Sequence, residues 1–293
     1  MKIACLQFAP EVGQFDRNMK RADDVIAISN LPPNLDWLVL PELAFTGYNF
    51  QSFTSIAPFL EPTAAGPSTS WAIRTAARFS CTVTVGYPEI ARPSNPNEPP
   101  QHFNSTVTVS PTGQILANYR KTFLYYTDET WASEGPSKFF SGQLGTLGNV
   151  TLGICMDINP YRFLASWTDY EFANTALAAN SPIVCVSMAW ISRLEPDELA
   201  QNCYEPDTTT LAYWVERFRP LVERAGRDGK GPVIVVLANR SGMEGEVCYA
   251  GSSTVLRIEG GGVSLYETAG RAEERCLVVD LNERPRFMVR AEG

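Results

Sequence analysis

The 293-residue chain contains a single histidine, His102, set in the polar, proline-rich stretch from Ala91 to Phe103. Zinc sites draw on several His or Cys ligands at short spacing, and none of the seven cysteines (Cys5, Cys81, Cys155, Cys185, Cys203, Cys248, Cys276) forms a Cys-x-x-Cys pair. No zinc site is therefore expected, and an all-carboxylate magnesium site is the metal arrangement that composition leaves open. Ser-His-Asp or Cys-His chemistry would rest on one loop residue, so a nucleophile in this chain is expected to use a carboxylate as its base. An odd, widely spaced set of cysteines reads as reduced thiols rather than a disulfide framework.

Positive charge is also in short supply. Lys and Arg number 24 against 32 Asp and Glu, for a net charge of -8, and the basic residues are scattered. Nucleic acid and anionic membrane surfaces are thereby excluded as main partners. No apolar run approaches the roughly 20 residues of a membrane span. The N-terminus lacks a basic segment followed by an apolar stretch, so no leader peptide is expected and the chain is assigned to the cytoplasm. Without a Pro/Gly/Ser-rich linker, a repeat or a low-complexity run, residues 1–293 read as one domain. At 44% hydrophobic and 19% charged, the chain can bury a large core.

What is present is a succession of short apolar strands and amphipathic helices. Strands are expected over 2–9, 37–40, 82–86, 104–109, 115–120, 150–155, 183–188 and 233–238, with shorter ones at 251–258, 263–267 and 276–280. Helices are expected over 15–29, 68–79 and 170–179, with a loop and helix from Glu195 to Arg227; residues 88–102 read as a surface loop. The Ser110-Pro111-Thr112-Gly113 turn joins 104–109 and 115–120 in a hairpin. This order predicts a layered α/β sandwich with helices on the outer faces.

Three predicted strand ends carry chemistry. Val150-Thr151-Leu152-Gly153-Ile154 delivers Cys155; Trp37-Leu38-Val39-Leu40-Pro41 delivers Glu42; Tyr119-Arg120 delivers Lys121 at the head of an aromatic run. Singly, each has a bland reading: a buried cysteine packs as a small hydrophobe, a strand-end glutamate points to water, and a lysine near aromatics lies on the surface. Together they form a set in which Glu42 takes the thiol proton, Lys121 favours the thiolate and an oxyanion, and Cys155 attacks a carbonyl or nitrile carbon.

At these residues the sequence resembles the nitrilase, or carbon-nitrogen hydrolase, superfamily. The matching motifs are Leu40-Pro41-Glu42 with Thr46-Gly47-Tyr48, Tyr119-Arg120-Lys121, and Gly153-Ile154-Cys155-Met156-Asp157, in the family's order. Met188-Ala189-Trp190, Ala238-Asn239-Arg240 and Ala250-Gly251-Ser252-Ser253 resemble later family segments. The resemblance implies a four-layer α-β-β-α sandwich, a Glu42-Lys121-Cys155 triad, and hydrolysis of an amide or nitrile through a thioester without metal or organic cofactor. It also implies a second glutamate after the lysine; Glu129 is preferred, with Glu134 and Asp128 as alternatives.

Within the superfamily, Arg120-Lys121-Thr122-Phe123-Leu124-Tyr125, Gly153-Ile154-Cys155-Met156-Asp157 with Pro160-Tyr161, Met188-Ala189-Trp190 and Leu237-Ala238-Asn239-Arg240 are most similar to the branch that deamidates N-terminal Asn and Gln of proteins and peptides, releasing ammonia and feeding the N-degron pathway. Such a substrate brings a free α-ammonium, for which Asp157, Glu129 and Glu134 are candidates; Met156 and Trp190 are further substrate-binding candidates. Asp157 reads equally as a turn cap, and Asn159 as a turn former. The alternatives are a small-molecule ω-amidase or carbamoyl-amine hydrolase, and a retired binding module, against which stands the presence of all three reactive residues.

Overall fold

A computed structural model describes residues 1–226 and 231–290. The chain opens with β1 (Lys2–Gln7), α1 (Phe15–Ile28), β2 (Trp37–Val39), α2 (Phe53–Ile56), β3 (Glu61–Pro62) and α3 (Pro67–Phe79). Then come β4 (Thr82–Ala91), β5 (Gln101–Val109), β6 (Ile115–Arg120), β7 (Phe140–Gln143), β8 (Asn149–Ile154), α4 (Glu171–Ala178) and β9 (Ile183–Met188). Helices α5 (Pro196–Gln201), α6 (Thr208–Arg217) and α7 (Arg219–Arg224) precede β10 (Val233–Asn239) and the small ribbon of β11 (Met243–Glu244) and β12 (Val247–Cys248). The chain then adds β13 (Thr254–Glu259), β14 (Gly262–Thr268), β15 (Arg275–Asp280) and β16 (Phe287–Arg290).

Two sheets follow the same plan. In the first, ordered β15-β1-β2-β4-β5-β6 with β3 beside β4, the trio β1, β2 and β4 is parallel and its neighbours β15 and β5 run antiparallel. The second is ordered β16-β14-β13-β10-β9-β8-β7, and its parallel trio is β10, β9 and β8. Strands of a parallel trio are covered on both faces, which is why they read as unbroken apolar runs. In β1 and β2, Ala4, Leu6 and Leu38 pack on Val25, Ile26, Trp71 and Ala72 of α1 and α3. The alternate residues Ile3, Cys5, Trp37 and Val39 join the cluster containing Val150, Leu152 and Val236 of the facing sheet. Phe172 of α4, with Trp214 and Leu221 of α6 and α7, belongs to that cluster and covers the second sheet. The layers are thus helix, sheet, sheet, helix, the four-layer sandwich the resemblance implies. Among the described residues no helix is long and apolar enough to cross a membrane.

The expected loop at 88–102 is mostly ladder. β4 and β5 stay paired out to Ala91 and Gln101, leaving 92–100 as the connection. The strand is disguised because its buried side chain is charged: Glu89 has no exposed surface and pairs with Arg120 at 2.6 Å. The expected helix from Glu195 resolves into α5, α6 and α7, with a break at Phe218 before Pro220; its expected end, Arg227, lies outside the described residues.

One glycine governs where the first reactive strand end lies. A Cβ on Gly86 of β4 would stand 2.6 Å from Pro41 O and 2.8 Å from Glu42 Cα, so only a bare backbone lets the turn carrying Glu42 pack there. At Gly153 of β8 the obstacle is instead the Phe172 ring, 2.7 Å from the same point. Gly86→Ala is expected to lower stability by about 2 kcal/mol and by more than Gly153→Ala, because backbone cannot swing aside as a ring can. Urea unfolding of both variants checks this, and equal or absent shifts in midpoint would contradict it.

Candidate active site

Beyond β2, the turn at Pro41 and the left-handed residue Leu43 (φ +45°) turn the Glu42 carboxylate into the interior, where it has no exposed surface. Lys121 follows β6, its N–H continuing the β5 ladder by donating to Asn104 O at 2.8 Å. Its ammonium, also wholly buried, donates to Glu42 Oε1 and to Asp128 Oδ2, both at 2.6 Å. Asn104 Nδ2 spans the same two carboxylates, reaching Glu42 Oε1 at 2.7 Å and Asp128 Oδ1 at 2.9 Å. Glu42 Oε2 accepts the Ala189 N–H at 2.8 Å, and Asp128 Oδ2 accepts the Tyr125 N–H at 3.0 Å. Lys121 is therefore the cation between two carboxylates whose remaining oxygen positions are occupied by donors.

Cys155 caps β8 in the left-handed region (φ +43°), a conformation that costs a non-glycine residue strain and turns the chain abruptly out of the strand. Its side chain is 8% exposed. Burial pushes the thiol well above its ordinary range and the Glu42 charge adds to this; Lys121 and the Ala189 N–H oppose it. Burial likewise raises Glu42 to about 6 against the pull of Lys121. For Lys121, burial alone would favour loss of the proton, but Asp128 and Glu42 outweigh it and hold the ammonium charged. Two carboxylates and one ammonium leave a formal charge of about -1 beside the sulfur, which favours a neutral thiol at rest. The arrangement can pass a proton from sulfur to Glu42 as the sulfur attacks.

The second acidic neighbour of Lys121, beside Glu42, is Asp128, not Glu129. The short 3-10 turn Asp128–Thr130 rotates successive residues by roughly 120°, so Asp128 is buried and Glu129 is exposed. Glu134 is also exposed, bonded to the Tyr161 hydroxyl at 2.8 Å and paired with Arg162, and it does not line the cavity.

Asp157 is corrected too. It is fully buried, and its carboxylate accepts Ile154 N (2.7 Å), Tyr119 Oη (2.7 Å), Phe123 N (2.8 Å) and Thr122 N (3.1 Å). With those positions filled it cannot receive an ammonium. It ties the turn bearing Cys155 to the segment following Lys121.

A cavity of about 590 Å³ opens onto Cys155, with Met156, Trp190 and Asn159 in its wall. Met156 and Trp190 thus share the cavity wall with Cys155. Asn159, read as a turn former, receives the Tyr213 hydroxyl at 2.6 Å. Tyr48, from the Thr46-Gly47-Tyr48 motif, and Tyr125, from the aromatic run after Lys121, also line the cavity, as do Tyr213 and Asp207, for which the sequence carried no functional signal. Asn104 carried one indirectly, since the hairpin register sets it opposite Lys121. The later segments have supporting roles: Asn239 Oδ1 accepts Trp190 N at 2.8 Å, and the Glu244 carboxylate, paired with Arg240, accepts Tyr48 N at 3.0 Å.

A buried thiol, carboxylate and ammonium at the strand ends of an α-β-β-α sandwich define the protein by class. Residues 2–165 match the family model described as carbon-nitrogen hydrolase, and the chain belongs to that family of hydrolases. It is 33% identical over 297 residues to the protein N-terminal amidase of Schizosaccharomyces pombe, covering 97% of this chain and 100% of that one. To the protein N-terminal amidase of Saccharomyces cerevisiae it is 31% identical over 212 residues, which is 66% of this chain and 45% of the relative. A solved N-terminal amidase with an Asn-Glu peptide shares the fold at TM-score 0.82 and 21% identity, over 99% of this chain and 98% of that one.

Asp128→Asn, which keeps the shape but removes one of the two charges on Lys121, is expected to lower amide turnover about a hundredfold. Glu129→Gln is expected to leave it within about twofold, as at an exposed position. Steady-state ammonia release by the two variants checks the assignment, and the reverse ranking would restore Glu129.

Proposed function

We propose that this chain deamidates N-terminal Asn and Gln of peptides and proteins, releasing ammonia. The observation that carries the reading is the Cys155 thiol in the cavity wall, backed by the 2.6 Å Glu42-Lys121 pair, in a chain 33% identical along almost its whole length to a protein N-terminal amidase. Cys155 is the nucleophile and Glu42 the proton shuttle. Lys121 and the N–H of Met156 stabilise the oxyanion, and Asp128 takes the place of the second acidic residue in holding Lys121.

The thiol proton passes to Glu42 as sulfur bonds to the side-chain amide carbon, and the carbonyl electrons move onto oxygen. Collapse of this tetrahedral intermediate breaks the C–N bond, and the nitrogen leaves as ammonia with the proton from Glu42. Water then attacks the thioester, giving its proton to Glu42. The second collapse releases the carboxylic acid and returns the proton to sulfur. Asn becomes Asp and Gln becomes Glu.

A cytoplasmic setting and a place ahead of N-degron recognition belong to this reading; the seven free thiols support a reducing compartment. The hydrophobic cluster shared by both sheets supports residues 1–293 acting as one domain.

The test is ammonia release from a peptide beginning with free Asn or Gln and from its N-acetylated form, with wild type and Cys155→Ala. Release from the free-amine peptide that is lost in the variant is expected; turnover confined to small free amides would sink the peptide assignment. Because Glu42 must be ionised to accept the proton, and its carboxyl titrates at about 6, kcat/KM is expected to rise with pH through about 6. A rate flat from pH 5 to 7 would remove Glu42 from the base role.

A further inference from the structure

Among the described residues that line the cavity, Asp207 is the one carboxylate. It is 5% exposed and stands at the N-terminal boundary of α6, where Oδ1 accepts the Thr210 N–H at 3.0 Å. Oδ2 accepts the Ser192 hydroxyl at 2.8 Å, and the Asp207 N–H donates to Ser252 Oγ at 2.8 Å. The carboxylate thus accepts from two neutral donors while the residue's backbone is tied to Ser252, and no lysine or arginine pairs with it among the described residues.

This sets it apart from the buried carboxylates that hold a cation: Glu42 and Asp128 with Lys121, Glu89 with Arg120, and Glu244 with Arg240. Asp157 and Glu61 also lack a cation, but neither lines the cavity. Capping α6 requires one oxygen and no charge, since a neutral Asn or Ser caps as well. A buried, oriented negative charge facing a cavity is costly until a cation arrives. Arg193, the other charged residue in the wall, is exposed. Trp190 and Tyr213, with ring centroids 5.4 Å apart in the same wall, offer faces that favour a cation.

We propose that Asp207 selects a free N-terminus by pairing with the α-ammonium of the first residue while that residue's side-chain amide lies at Cys155. The inference rests on the function proposed above. It supplies the acidic partner that Asp157, Glu129 and Glu134 do not.

Asp207→Asn removes the charge and keeps the side-chain shape and the helix cap. The full-length wild type and variant are compared on an Asn-initiated peptide with a free amine, its N-acetylated form, and propionamide. The free-amine to acetyl ratio of kcat/KM is expected to fall about a hundredfold in the variant, mostly through KM, with propionamide turnover retained. A variant that keeps the wild-type ratio overturns the assignment while leaving N-terminal deamidation standing. Loss of propionamide turnover in parallel would assign Asp207 to the fold and also overturn it. If the wild type hydrolyses propionamide but neither peptide, it is the deamidation reading that fails, and the anchor with it.

Discussion

The placement of Lys121 between Glu42 and Asp128 constrains everything around it. Bringing three charged groups out of water is expensive, and their mutual attraction offsets that cost only when geometry is tight and every remaining lone pair finds a donor. Here the donors come from four stretches of chain: Asn104 from β5, Tyr125 from the segment after Lys121, Ala189 from the end of β9, and Lys121 itself. The site is thus satisfied only when both sheets are in place. The same satisfied charges fix the proton inventory beside Cys155, with Lys121 kept charged and Glu42 raised into a range where it can both accept and return a proton.

Around this centre lie clamps that touch no reacting atom. Asp157 joins the Cys155 turn to the strand end of Lys121, Asn239 secures Trp190 beside the amide that Glu42 accepts, and Glu244 with Arg240 holds the chain at Tyr48. These are the residues that a motif search finds next to the chemistry. Their chemical type reflects the need to satisfy buried backbone donors at tight turns, and a carboxylate so employed is a poor ligand.

How much of this was legible follows from where each signal resides. The parallel trios were readable because burial on both faces writes an uninterrupted apolar run, and a reactive residue at the end of such a run stands out; Glu42 and Cys155 were found that way, whereas Lys121 was found after a hairpin strand, at the head of an aromatic run. Asp128 and Glu129 are adjacent carboxylates in a short turn, and the rotation of that turn, invisible in composition, decides which one is buried. The strand pairing out to Ala91 was hidden because Glu89 is buried through its pairing with Arg120, so polarity there does not mean exposure. Asp207 carried no signal in the sequence; in the structure it caps α6, and only the folding of α6 against the cavity gives its charge a second meaning.

The two sheets contribute unequal halves of the centre. Glu42, Lys121 and Asn104 follow or belong to strands of the first, whereas Cys155 and Ala189 end strands of the second. Nucleophile and proton acceptor therefore face each other across the seam between the layers, with few covalent neighbours in common. Any slippage of one layer over the other, even by a fraction of a residue spacing, would separate them while leaving each sheet intact. Reactivity in such a molecule reports the mutual registration of its layers, and side chains deep in the seam such as Cys5, Val39 and Leu152, far from any substrate, act as its alignment pins.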